Sequence, residues 1–169
     1  MRRSAPSILA FFTLFSFCTF GSGCNKPERA ASSSGSLEAR KAAVEQALQR
    51  YSDGVAKMDA AAVSGLYTAD GELRSTGATP VKGREAIREH LEKLGGYRVE
   101  SNVVASESVS FDGSDAIQKA AYRQKVLAPS GQSIEAHGRL EAVWTLESDG
   151  VWRLKSLTAF PDPPETPRS

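Results

Sequence analysis

The chain has 169 residues, 21 of them basic and 20 acidic, for a formal charge of +1. That length holds one domain with appendages. The near-balance of charge leaves no basic field to grip a phosphate backbone, which argues against nucleic acid as a partner. Both cysteines, Cys18 and Cys24, fall near the N-terminus. The remainder can therefore carry neither a disulfide framework nor a thiolate metal site or thiol nucleophile, and a packed core must hold it.

The first residues follow the plan of an export signal. Arg2 and Arg3 are basic, residues 8–20 are apolar, and Gly21, Ser22 and Gly23 are small. The apolar run is too short to remain as a spanning helix, which needs about 20 residues. Cys24 directly after Ser22 and Gly23 resembles a bacterial lipobox, with Gly21 where leucine is usual. That resemblance implies cleavage before Cys24 and a diacylglyceryl group on its thiol. It implies a lipoprotein anchored in the cell envelope, and Asn25 after the cysteine leans the location to the outer membrane, facing the periplasm. The alternative is plain secretion or a soluble periplasmic protein, because the glycines also suit the ordinary signal peptidase. Two or three acyl chains on one cysteine would hold stably, where one alone is marginal. Removing Arg2 and Arg3 takes the charge from +1 to −1. Residues 24–36, which include NKPERAASSSGS, have no large apolar side chain and read as a flexible tether. Residues 161–169, with four prolines, read as a disordered tail.

Residues 37–160 read as one folded domain. Over residues 37–57, Val44, Ala47, Leu48, Tyr51 and Val55 recur at three- and four-residue steps, which predicts a helix with one apolar face. Asp59 is a fitting N-cap for a short second helix through Leu66. Residues 70–76 read as a short strand and residues 77–82 as a turn. Gly83 leads into a third helix, with Ile87, Leu91 and Leu94 inward, stopped by Gly95 and Gly96.

From Arg98 the apolar period changes to two, which predicts strands. Val99, Val103, Ala105, Val109 and Phe111 fall on one face, opposite Asn102, Ser106 and Ser108. After the turn at Asp112 and Gly113, Ala116, Gln118, Ala120, Tyr122, Gln124 and Val126 share a face. After Pro129-Ser130-Gly131, so do Ile134, Ala136, Leu140, Ala142, Trp144 and Leu146. After Asp149 and Gly150, Trp152 and Leu154 point to the core, with Ser156 and Thr158 following in phase. Three helices followed by four long hairpin-linked strands give an α+β fold, its helices packed on one face of a strongly curved antiparallel sheet.

This order resembles the nuclear transport factor 2-like, cystatin-like cone fold, and within it the SnoaL-like and SgcJ/EcaC-type domains. The residues that carry the resemblance are Leu66-Tyr67, Ala69-Asp70, Pro80-Val81, Gly83 to Ile87 and Gly150 to Leu154. The resemblance implies a conical cavity open at one end. It also brings ketosteroid isomerase into view, whose chemistry needs a carboxylate base with a tyrosine and a protonated acid as oxyanion hole. By motif match Tyr51 falls on that tyrosine, the base falls on Ser75 and the acid falls on Ala142, so two of three parts are missing.

The pocket candidates are Tyr51, Ser75, Gln118, Tyr122, Gln124, Trp144, Ser156 and Thr158. Polar groups among alanines on a concave face suit a pocket lining, though a core tyrosine or a partly solvated face gives the same pattern. Trp144 and Trp152 suit a filled cone as well as its mouth. His137, among Glu135, Arg139 and Glu141, suits a solvated outer face better than a catalytic pair. His90 reads as a half-buried packing residue, and Asp70, near Glu72, as a turn residue. No His, Asp or Glu set has metal spacing, and no cofactor is expected. The leading expectation is an envelope lipoprotein binding a small apolar or amphipathic ligand or a protein partner, without clear catalytic residues. The alternatives are a SnoaL- or isomerase-type acid–base enzyme and a structural domain that forms a homodimer through the sheet face. The lipid anchor is the expected contact with the membrane.

Overall fold

The computed structural model describes residues 28–163, with side chains from residue 36 onward. The expected signal, Cys24 and residues 164–169 lie outside the described residues. Three helices, α1 (Glu28–Ala56), α2 (Ala60–Gly65) and α3 (Arg84–Glu92), accompany six strands. These are β1 (Tyr67–Ser75), β2 (Val81–Lys82), β3 (Arg98–Asp112), β4 (Asp115–Leu127), β5 (Ser133–Leu146) and β6 (Trp152–Pro161). They form one sheet in the order β2-β1-β6-β5-β4-β3. The long strands pair antiparallel, and β1 joins β6 in parallel. No described helix is long and apolar enough to cross a membrane.

The first helix starts at Glu28 rather than Leu37, so residues 28–36 of the expected tether are helical. Glu28, Arg29, Ala30 and Ala31 are good helix formers, and a helix nucleated further on extends by one hydrogen bond per residue. At the other end β6 runs through Pro161, and the Asp162 N–H donates to the His137 carbonyl at 2.9 Å, so the expected tail begins later. Val81 and Lys82, read as part of a turn, pair with Leu73 and Glu72 as a short strand.

The helix stripe packs as its spacing requires. Val44, Ala47 and Leu48 of α1 are buried against Ala116 and Ala120 of β4, Leu140, Ala142 and Trp144 of β5, and Trp152, Leu154 and Leu157 of β6. Each large side chain removed from water in this way contributes about 1.5–3 kcal/mol. Asp59 caps α2, accepting from the Ala62 N–H at 2.9 Å. Arg84, at the start of α3, donates from Nε to the Tyr67 carbonyl at 3.0 Å and fixes that helix to β1. Gly71 sits at an irregularity in the β1–β6 pairing. A Cβ there would stand 2.8 Å from the Leu154 carbonyl oxygen, so only glycine lets the two backbones approach.

Two strands depart from strict alternation. In β3 the register shifts between Val99 and Ser101 and again between Ser106 and Ser108. Each extra residue swaps the faces. Val99, Val109 and Phe111 point inward as expected, but between the bulges Asn102, Val104 and Ser106 take the inner face. Val103 is 61% exposed on the outer one. In β6 Trp144 pairs with Leu154 while Val143 pairs with Ser156, leaving Lys155 as the extra residue. Leu157 therefore turns inward opposite Ala142, and Ser156 and Thr158 turn outward opposite Val143 and Glu141.

Candidate functional site: an apolar cavity at the open end of the cone

The interior of the sheet differs along its length. At one end the concave face is sealed. Trp144 Nε1 donates to Gln118 Oε1 at 2.9 Å, and Gln118 Nε2 donates to Ser106 Oγ at 3.0 Å, with Gln118 and Trp144 both fully buried. Phe111 and Trp152 close the cone below them, ring centroids 6.0 Å apart, and the Arg40 guanidinium lies 4.4 Å from the Phe111 centroid. Arg40 also donates to the Gly113 carbonyl at 2.7 Å, which ties α1 to the β3–β4 turn.

At the other end the helices and strands part around a cavity of about 370 Å³. The end of α1 supplies Tyr51, Gly54 and Val55, the following turn supplies Met58 and Asp59, and α2 supplies Ala60 and Val63. Leu91, Leu94 and Tyr97 come from α3 and the segment after it. Val99 of β3, Gln124 and Val126 of β4, and Ile134 and Ala136 of β5 complete the wall. The volume lies within the usual range for small-molecule sites, and the lining is apolar with a few polar groups, as such sites require.

The polar groups are neutral or already engaged. The Asp59 carboxylate is committed to capping α2. The Gln124 side-chain amide makes no hydrogen bond among the described residues, which leaves its donor and acceptor for another molecule. Neighbouring Asn102, its cross-strand partner, is instead taken up by the Ser52 carbonyl and hydroxyl at 3.1 and 2.9 Å. Burial pushes the Tyr51 hydroxyl above the ordinary tyrosine range, partly offset by the neighbouring Tyr67 side chain. Tyr67, packed edge-on against Tyr51 with centroids 6.5 Å apart, is raised further by burial and then by Tyr51. Both phenols therefore stay protonated at neutral pH and can donate.

Of the residues singled out in the sequence, Tyr51 and Gln124 line this cavity. Gln118 and Trp144 bond to each other in the sealed end. Tyr122 packs half-buried against the core, its hydroxyl raised by burial and by Asp162. Ser75 is exposed at the end of β1, away from the cavity lining. Ser156 and Thr158 face outward because of the β6 bulge. Ala142, the position the resemblance assigns to the isomerase's acid, is buried between Gln118 and Leu157. His137 faces Asp162 at 3.6 Å on the outer side, and His90 is exposed on α3 rather than half-buried. Asp70 accepts from the Thr68 hydroxyl at 2.9 Å within β1. No group of His, Cys, Asp and Glu among the described residues is arranged to hold a metal ion.

Met58 and Tyr97 were not recognised from the sequence as lining residues. Tyr97 directly follows Gly95 and Gly96, and that position is the signal that could have pointed to it; no residue preference announces Met58. The aliphatic lining residues lie on the inner faces that periodicity predicts, but periodicity does not tell a wall from a core.

Comparison with known proteins agrees with this architecture. A ketosteroid isomerase-like protein from Erwinia carotovora atroseptica superposes with a TM-score of 0.67 at 18% identity, over 73% of this chain and 96% of that one. A nuclear transport factor 2-like protein with a cystatin-like fold from Novosphingobium aromaticivorans gives 0.63 at 20% identity, over 82% and 91%. The steroid Δ-isomerase of Nocardioides simplex is 32% identical over 120 residues, 70% of this chain and 89% of the relative. The SnoaL-like domain family matches residues 36–158. With that match spanning most of the chain and the cone fold in place, this protein belongs to the SnoaL-like domain family.

Proposed function

We propose that the domain binds a small apolar or amphipathic molecule at the open end of its cone, with Gln124 and Tyr51 meeting the ligand's polar group. The observation that carries this reading is the cavity of about 370 Å³ whose wall is apolar apart from Tyr51, Asp59, Tyr97 and Gln124. An uncharged amide and a protonated phenol suit a carbonyl or hydroxyl on an otherwise apolar skeleton. The test is a fluorescence titration with 1-anilinonaphthalene-8-sulfonate, followed by displacement with a 3-ketosteroid. Saturable binding of one probe per chain, lost when Ala136→Trp fills the cavity, is expected. Binding unchanged in the Ala136→Trp variant would sink the reading.

An isomerase is the second reading, favoured by the 32% identity to a steroid Δ-isomerase. Against it stand Ser75 and Ala142 at the base and acid positions, and Asp59 engaged as a helix cap. General acid–base catalysis needs a group within reach of the proton it moves. The expected result with a Δ5-3-ketosteroid is binding without turnover. Turnover that falls in Tyr51→Phe would establish the isomerase instead.

The basic start, the apolar run and Cys24 after Ser22 and Gly23 support export and lipid anchoring in the cell envelope. Labelling with radioactive palmitate should disappear in Cys24→Ala; persistence of the label rejects the anchor. The outer sheet face alternates charges, with Lys119 opposite Glu141 and Lys125 opposite Glu135, around exposed Val103 and Ile117. That pattern supports a homodimer through the sheet face. Sedimentation velocity should give a dimer, weakened by Lys119→Glu.

A further inference from the structure

Among the described residues Met58 is the one non-glycine with a positive φ, 54°. The other positive-φ positions there, such as Gly77, Gly113 and Gly150, are glycines. The left-handed region brings Cβ against the backbone and costs an ordinary residue about 1 kcal/mol, which is why helices that end this way commonly end in glycine.

Met58 sits at such a helix end. Its N–H donates to the Val55 carbonyl at 3.0 Å, and the Asp59 N–H reaches back to the Gly54 carbonyl at 3.0 Å. This pair of bonds closes a helix through a left-handed residue. The next residue holds the turn from the far side: Asp59 accepts from the Ala62 N–H through its side chain and from the Val63 N–H, at 2.9 Å, through its carbonyl. Bonds on both flanks therefore keep Met58 in a conformation that glycine would adopt without strain.

What methionine adds to this position is its side chain, which is half-buried and lines the cavity. Unbranched and polarisable, it adapts to apolar surfaces of different shape and makes favourable contacts with aromatic rings. We propose that Met58 is a ligand-contact residue of the cavity, carried on a strained left-handed turn, and that it favours ligands with a flat, polarisable ring system. This inference rests on the binding reading given above.

The test compares the full-length wild type with Met58→Gly and Met58→Leu, reading the thermal midpoint and the affinity for 1-anilinonaphthalene-8-sulfonate. The glycine variant should melt on the order of 3 °C higher, as relief of backbone strain in a domain of this size requires. It should also bind about tenfold more weakly, the loss expected when an apolar contact leaves a pocket. The leucine variant keeps a side chain of similar reach and should bind within about threefold of wild type, with no rise in melting temperature. Met1 and Met58 are the chain's two methionines. With methyl-13C methionine the signal that disappears in Met58→Gly is therefore that of Met58, and it should move when probe is added to the wild type. A glycine variant that binds as well as wild type, or one that loses stability and affinity together, overturns the inference, since the side chain would then be unused or merely packing. A wild type that binds no probe overturns the binding reading itself, and this inference with it.

Discussion

Gln118 and Gln124 lie six residues apart on the same face of β4, yet one is core and the other lines a cavity. Their chemistry is identical, so the difference lies in what faces them. Gln118 has Trp144 to donate to its carbonyl and Ser106 to accept from its amide, and at that depth the cone is filled by rings. Gln124 has Ala136 beside it on β5, while its β3 neighbour Asn102 is bonded away to α1. A buried amide is stable only when its hydrogen bonds are met. Gln118 therefore belongs to the core, while the Gln124 amide faces the cavity with no partner among the described residues. The same fold thus separates a sealed end from a cavity-lined end along one strand.

Mutations should break the two ends differently. The largest effect is expected for Trp144→Ala, which empties the middle of the sealed end and should cost about 3–5 kcal/mol in urea denaturation. Gln118→Leu removes the acceptor for the Trp144 indole and the donor for Ser106. It should cost about 1–3 kcal/mol, because a buried indole N–H is left unpaired. The matching change at the open end, Gln124→Leu, should leave the unfolding free energy within about 0.5 kcal/mol of wild type. It should instead weaken a carbonyl-bearing ligand about tenfold, the worth of one hydrogen bond. Equal stability losses in the two glutamine variants would erase the distinction between the ends.

Between the two ends Tyr67 offers a pH test. Burial, reinforced by Tyr51, raises its folded pKa above the ordinary value of 10.0. A raised folded pKa gives stability that is full below the unfolded pKa and is lost as pH rises through the folded one. Below about pH 9 Tyr67 is neutral in both states and adds no pH dependence. Above 10.0 the unfolded chain ionises while the folded one resists, so stability should fall. Denaturation midpoints taken from about pH 9 to about pH 11 should drop more steeply in wild type than in Tyr67→Phe. Parallel slopes in the two proteins would show that Tyr67 ionisation does not set this pH dependence.

Much of the fold is legible in the residues. The α1 stripe, the Asp59 cap and the Asp-Gly turns each have a local cause, whereas α3 ends at Glu92, ahead of the expected stop at Gly95 and Gly96. The inner face of β4 also follows from alternation alone. What alternation missed are the bulges, which arise from how curved strands must pair and not from any one residue. In β6 a trace exists: Leu154 and Leu157 are three apart, a spacing that strict alternation cannot bury on one face. Burying both leucines turns Ser156 and Thr158 outward. In β3 the trace is weaker, because Val103 and Val104 are adjacent and either could be the buried one. The cavity is harder still. Val55, Val63, Val126 and Ile134 look like core residues, and only the spacing of elements decides whether their side chains meet each other or surround a space. Met58 was hidden for another reason: its left-handed backbone is set by bonds from Gly54, Val55 and the α2 cap, and no residue preference announces it.

On the binding reading, ligands enter the open end and leave the sealed end untouched. A 1H–15N correlation spectrum recorded during titration with 1-anilinonaphthalene-8-sulfonate tests it directly. The chain's two tryptophans, Trp144 and Trp152, both sit at the sealed end, so their indole signals report on it, while the Gln124 side-chain amide reports on the cavity. The Gln124 amide and the backbone signals of Tyr97 and Ile134 should move with saturation, while both indole signals stay in place. Movement of the indole signals with a stationary Gln124 amide would contradict that reading.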